Sequence, residues 1–306
     1  MIRLNVTNSK DVTDTSVPYL LNLSRLQHLD ISLTSISIDG YRHLLVELTR
    51  ITNIAWKKGG IEEVLSGIDV EILNNKEMFE GNLMNAHTLV ERCPNIKTLH
   101  LNIVDVVNLT PLSNFTRIES LSTTGLNFRH CNMGNIFVNL GLILEIIHLD
   151  FINDLDICII IRLCHCLKTF SIKNSKFLPE TMTVVENWPH CHSLKSLKLM
   201  SNYQDEWYVS TMKYYRYLVI LQVDVLNSLD DDYFVDAVRN GGFRHLQEFI
   251  VKNSETLGLR TVIMLIHFCA ELKVIGCLTD WTRITNYNFI DLRDNIKRNN
   301  YNLILH

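Results

Sequence analysis

Two clusters of cysteine and histidine and two histidine–carboxylate pairs are the residues of this chain with most chemistry in them. Cys164-His165-Cys166 and His190-Cys191-His192 hold donors of the kind zinc takes. Zinc sites are usually built on C-x-x-C pairs, however, and neither cluster has one. Cys164 and Cys191 also occupy a position that elsewhere in the chain is merely apolar, so both are expected to pack rather than to ligate. His28/Asp30 and His148/Asp150 each place a carboxylate two residues from an imidazole, as a general base requires. No nucleophile or metal set is tied to either pair. Phosphate-binding, dinucleotide-binding, H-E-x-x-H and G-x-S-x-G motifs are missing from the sequence. The residues argue against an enzyme, a metal centre or a bound cofactor.

The elements that hold these residues repeat. Cys191, Leu194, Leu197 and Leu199 read C-x-x-L-x-x-L-x-L. The same offsets lead from Cys93 to Ile96-Leu99-Leu101, from Cys164 to Leu167-Phe170-Ile172, and from Cys269 to Leu272-Ile275-Cys277. Other residues fill the cysteine slot ahead of Leu26-Leu29-Ile31, Ile51-Ile54-Trp56, Ile118-Leu121-Thr123, Ile146-Leu149-Phe151, Leu218-Leu221-Val223 and Leu246-Phe249-Val251. Met1-Leu4-Val6 fits in front, and Asn300-Leu303-Leu305 fits behind. The first template residues return every 21 to 28 positions, with one gap of 45 between Ile51 and Ile96. That gap is two periods, so a degenerate strand is expected near Ile68 to Leu73. A period of about 20–29 residues on L-x-x-L-x-L is the leucine-rich-repeat signature.

Side chains alternate along a strand, so L-x-L sends two apolar groups to one face. Apolar residues at helical spacing precede the strands: Val17, Leu20 and Leu21; Tyr41, Leu44, Leu45 and Leu48; Leu89, Val90 and Cys93. Asp14, Pro179-Glu180 and Leu229-Asp230-Asp231-Asp232 read as helix starts. One such unit cannot bury both faces alone, whereas stacked units can. The expected fold is α/β: a right-handed leucine-rich-repeat solenoid, or horseshoe, with a parallel sheet on the concave face and helices on the convex face. It should form a single domain over 1–306, with about 12 repeats. The first repeat is uncapped, as in a shortened form of a longer protein. Residues 57–92 are degenerate, with Lys57-Lys58-Gly59-Gly60 as a turn and Ile61 to Leu65 as a short helix. Residues 281–306 serve as a C-terminal cap.

With 29 basic and 33 acidic residues the net charge is −4, which gives no drive toward nucleic acid or anionic membrane. The most apolar stretch, Ile136 to Ile152, carries Glu145, His148 and Asp150 and reads as a buried helix and strand. The start shows no signal peptide, so an intracellular monomer is expected, cytoplasmic or nuclear. Of the 8 cysteines, four share one repeat slot and are expected as buried thiols. N-x-S/T triplets at Asn5, Asn22, Asn108 and Asn114 are chance matches on that reading.

The cysteine-led repeats, together with Leu4 to Asp14, resemble the cysteine-containing repeats of F-box/LRR proteins, which are ribonuclease-inhibitor-like. Leu26 to Thr34 is also similar to repeats of Zyg/Zer-type cullin receptors. The resemblance covers nearly the whole chain. It implies substrate recognition in a ubiquitin-ligase system, with a separate module docking the ligase. No F-box precedes Met1, and the alternative is an inhibitor or scaffold unconnected to ubiquitin. The expected partner is a protein on the concave face. Lys168, Lys173, Lys195 and Lys198 are its candidate contacts there, for an acidic or phosphorylated segment, with Asp150 and Asp224 nearby as partial counter-charges. Among the aromatics of 202–217, Trp207 and Tyr215 are expected to pack inward.

Overall fold

The computed structural model describes residues 2–103, 108–178, 192–200, 215–227, 229–299 and 301–306. The expectations for Cys191 and His190, for Pro179-Glu180, and for the aromatics Tyr203, Trp207, Tyr208 and Tyr214 lie outside the described residues. The strands are β1 (Arg3–Asn5), β2 (His28–Asp30), β3 (Asn53–Gly60), β4 (Met78–Asn82), β5 (Thr98–Asn102), β6 (Ser120–Thr124), β7 (Ile146–Asp150), β8 (Thr169–Lys173), β9 (Ser196–Met200), β10 (Ile220–Val225), β11 (Glu248–Asn253), β12 (Val274–Gly276) and β13 (Ile304–Leu305). β1 and β2 pair with each other; β3, β4, β5 and β6 lie side by side in chain order, and so do β8, β9, β10, β11, β12 and β13. Helices alternate with the strands, among them Val17–Leu21, Ile38–Glu47, Ala86–Arg92, Met133–Leu140, Ile157–Leu163, Asp231–Arg239 and Leu259–Phe268. This is a leucine-rich-repeat solenoid of the α/β class. Among the described residues no helix is long and apolar enough to cross a membrane.

The chain divides into two compact units, Met1–Ile146 with Ile152–Leu155, and Ile147–Phe151 with Asp156–His306. In the first, the second template residue sets a parallel register: Leu4 opposite Leu29, then Ile54, Phe79, Leu99 and Leu121 side by side. In the second, Phe170, Leu197, Leu221, Phe249 and Ile275 form the equivalent row. Apart from Leu4, which is half-buried, these residues are all buried, because each turns inward with the third template residue on the same face.

The spacing C-x-x-L has a local cause. The slot residue is a helix C-cap: the N–H groups of Leu48, Cys93, Cys164 and Cys269 each donate to the carbonyl four residues back. Three residues on, Ile51, Ile96, Leu167 and Leu272 donate to the slot carbonyl and close the turn into the strand. One residue therefore ends the helix, starts the turn and fills the core. Cysteine suits this place as a small hydrophobe with a weak donor. The Sγ of Cys269 uses that donor on the carbonyl of Phe243, the slot residue one repeat earlier, at 3.1 Å.

Carboxylates tie successive helix starts together. Asp14 accepts from the Ser37 N–H at 2.8 Å, and Glu62 accepts from the Met84 N–H at 3.0 Å. Asp231 accepts from the Gly258 N–H at 2.8 Å and the Thr261 hydroxyl at 2.6 Å. In each case an acid near one helix start satisfies donors at the start of the following repeat's helical segment, where backbone N–H groups lack intrahelical partners.

Several expectations are corrected. The strand placed at Ile68 to Leu73 is β4 instead, and Val70–Leu73 is a short helix. The missing repeat reads Leu73-x-x-Lys76-x-x-Phe79-x-Gly81, with lysine and glycine in leucine positions. Lys57 to Gly60 extends β3 rather than forming a turn, with a bulge between Trp56 and Gly60. Around β7 the template moves back two residues, to Leu144-Ile147-Leu149, because the Glu119 carbonyl takes the N–H groups of Glu145 and Ile146. Phe151 is then 56% exposed at φ +53°. At the end, Leu305 pairs with Ile275, so the last template is also displaced by two. Asp14 lies inside a 3-10 turn that Thr13 caps. Strand alternation would turn Ser196 away from the side of Leu197, yet Ser196 is buried, while Lys198 is half-buried.

Candidate functional site

Of the second cysteine and histidine cluster only His192 is among the described residues, and it is exposed. Cys164 is fully buried, whereas His165 and Cys166 are exposed on the turn that follows it. Among the described residues no group of three potential ligands converges. Burial pushes the Cys93 and Cys269 thiols up to about 12, which keeps them protonated. Cys158 is raised to about 11, again chiefly by burial.

The two His-x-Asp pairs are not equivalent. His28 and Asp30 flank Leu29, and both are half-buried. Burial alone would raise the Asp30 carboxyl. Hydrogen bonds outweigh it, led by the Ser32 N–H at 2.9 Å, and hold that carboxyl below its ordinary value. In the corrected register Asp150 follows the third template residue. It accepts from the Asn174 amide at 3.1 Å.

The four lysines separate into two places. Lys168 and Lys195 hold equivalent positions at the leading ends of β8 and β9, joined by a backbone hydrogen bond of 2.9 Å. Lys173 lies at the trailing end of β8, opposite Met200, and Lys198 sits mid-strand, opposite Ser171. Five residues of extended chain put roughly 16 Å between Lys168 and Lys173. Asp224 does not counter them, because it pairs with Lys252 at 2.8 Å.

The leading end is more basic than the sequence suggested. After the slot residues Tyr215 and Phe243, both buried, the turns carry Arg216-Tyr217 and Arg244-His245. With Asn240 and Gly241 these four line a cleft of about 240 Å³. An aromatic ladder runs along the same turns. His192 meets Tyr217 edge-on at 6.2 Å, and Tyr217 stacks on His245 at 5.9 Å. The far side of His245 meets Glu271 at 3.3 Å, and Gln247 also donates to that carboxylate, at 3.1 Å. Reasoning from sequence missed this cleft because the template was read for its apolar positions. The signal available was the pair of polar turn residues that follows each slot.

No protein-family model matches the chain, and no curated protein matches it. Solved structures do. An internalin (inlF) of Listeria monocytogenes superposes with a TM-score of 0.52 at 17% identity, over 84% of this chain and 69% of that one. A crystal structure of the yeast Rad7 and Elc1 complex is similar at 15% identity, over 96% of this chain and 83% of that one, with a TM-score of 0.40. At such identities the likeness to the internalin is one of fold, and the fold is that of a leucine-rich-repeat protein.

Proposed function

We propose that this chain is a non-catalytic protein-binding module that works as an intracellular monomer and recognises the substrate of a ubiquitin ligase of F-box/LRR type. The observation that carries the binding role is the stacking of equivalent residues in rows, Lys168 beside Lys195 and Ser171 beside Lys198 beside Gln222. A row of side chains at strand spacing reads an extended partner position by position. The slot cysteines, which resemble those of F-box/LRR repeats, support the ligase role. Lys168, Lys173, Lys195 and Lys198 remain the proposed partner contacts on the sheet, with the leading-end pair as its centre.

Proximity labelling in cells tests the reading. Recovery of a partner together with cullin-type ligase subunits is the expected result. A stable partner without ligase components would replace the ligase role by that of an inhibitor or scaffold. Loss of labelling in Lys168→Glu/Lys195→Glu, with the fold intact, would place the contact at the leading ends of β8 and β9.

A further inference from the structure

We propose that the cleft between the turns Arg216-Tyr217 and Arg244-His245 binds a phosphomonoester carried on a serine or threonine of the protein partner. The protein source of the phosphate rests on the binding role proposed above, whereas the cleft itself rests on its own geometry.

Arg216 and Arg244 approach the cleft from adjacent repeats. Neither forms a hydrogen bond or ion pair with any described residue, unlike Arg42, which pairs with Asp39, and Arg260, which pairs with Asp232. Glu271, the carboxylate in contact with His245, also accepts from Gln247. The helix Asp231–Arg239 ends beside the cleft, and the negative end of a helix would repel an anion. Its last carbonyls are occupied, however. Asn240 N–H donates to Asp236, Gly241 N–H to Val238 and Gly242 N–H to Ala237. Two guanidinium groups with no partner among the described residues therefore line the cleft.

Gly241 lies beside one of them. It stands at φ +83°, where only glycine is at ease, and the Arg244 guanidinium lies 3.2–3.3 Å from the place a β-carbon would occupy. The absence of a side chain at Gly241 leaves room for the planar fork to lie against the backbone there. A guanidinium fork matches phosphate oxygens bidentately. The Asn240 amide and the Tyr217 hydroxyl add neutral hydrogen-bonding groups at the rim.

Size selects the ligand. A cleft of about 240 Å³ is below the usual range of about 300–1,000 Å³ for whole small molecules. It fits a phosphoryl group and its ester linkage, with the rest of the ligand lying outside. The leading-end lysines Lys168 and Lys195 lie on the preceding strands, where a flanking acidic segment would run.

The test is titration of the full chain with N-acetyl-phosphoserine amide, inorganic phosphate, ATP and acetate, read from the ring signals of Tyr217 and His245. The blocked phosphoserine should move both rings and bind at least about tenfold more tightly than acetate, as expected when charged hydrogen bonds worth about 1.5–3 kcal/mol are gained. Arg244→Ala and Arg216→Ala should each weaken it about tenfold or more, with unchanged melting temperature. Arg244→Lys should restore only part of the loss. Equal binding of acetate, or a double Arg216→Ala/Arg244→Ala variant that binds as the parent does, overturns the site. Binding of phosphate and ATP without the blocked phosphoserine overturns the protein source. Failure of the titration leaves the proximity-labelling result standing, and the reverse also holds.

Discussion

The Lys76 ammonium donates to the Ile51 carbonyl oxygen at 2.5 Å, inside the core position that a leucine or isoleucine fills in neighbouring repeats. Lys76 is 0% exposed. Burial lowers its pKa from 10.5 to about 8, opposed only by the nearby Cys93. Between those two values the unfolded chain holds more protons than the folded one, so this lysine makes stability rise with pH across the window. The contribution is fully present above pH 10.5 and is lost as pH falls through 8. Cys93 and Cys269 act oppositely, since raised thiols favour the fold below pH 9 and cease to as pH climbs toward 12.

Comparison with Lys76→Met isolates the lysine from the thiols. The stability of the variant minus that of the parent should fall by about 3 kcal/mol between pH 7 and pH 10.5. Urea melts at several pH values measure it. A difference that stays flat would mean that Lys76 titrates as an exposed lysine does.

Gly81→Ala should be among the most damaging single-methyl changes in the chain. A β-carbon there would lie 2.0 Å from the Trp56 carbonyl oxygen, at the bulge between β3 and β4. The backbone must move, and a loss of about 3 kcal/mol is expected. Gly276→Ala is the control, because its nearest contacts are side-chain atoms of Ile250 at 3.2 Å. Chemical denaturation of both should show the larger shift for position 81.

Asp231→Ala removes the acceptor for two backbone N–H groups and one hydroxyl of the next helix start. About 1–2 kcal/mol should be lost, as with other capping residues, and Asp231→Asn should recover part of it. Thermal unfolding would detect this, and an unchanged midpoint for the alanine variant would remove the capping role.

Thiol reagents should separate the cysteines. Cys166 is exposed and should react in the native state. Cys93, Cys164 and Cys269 are buried slot residues and should react only in denaturant. Mass spectrometry after timed labelling reads each site, and rapid native labelling of the buried three would contradict their packing role.

What the sequence made legible followed from which residues the template tolerates. The slot, the L-x-L strands and the parallel register stood out because most repeats fill them with large apolar groups. The repeat at Lys76 stayed hidden because its two unusual residues are compensated in three dimensions: a carbonyl receives the ammonium, and a neighbouring backbone fills the space at Gly81. Around β7 the run Ile143-Leu144-Glu145-Ile146-Ile147 satisfies the spacing in two frames, and only hydrogen bonds to Glu119 decide between them. The lysines were visible as charges, but their division between strand ends depends on pairing. Arg216 and Arg244 were invisible as a pair because 28 residues separate them and one repeat unites them.

The carboxylates that reach from one helix start to the next give the stack a direction. Each acid belongs to the earlier repeat and serves the later one. Cutting away later repeats releases a carboxylate into water, where it is comfortable. Cutting away earlier repeats strips donors at the new first helix of their acceptors. Shortened versions of this protein should therefore tolerate deletion from the C-terminal side better than from the N-terminal side, and an isolated fragment starting at Leu259 would open with its helix start already uncapped.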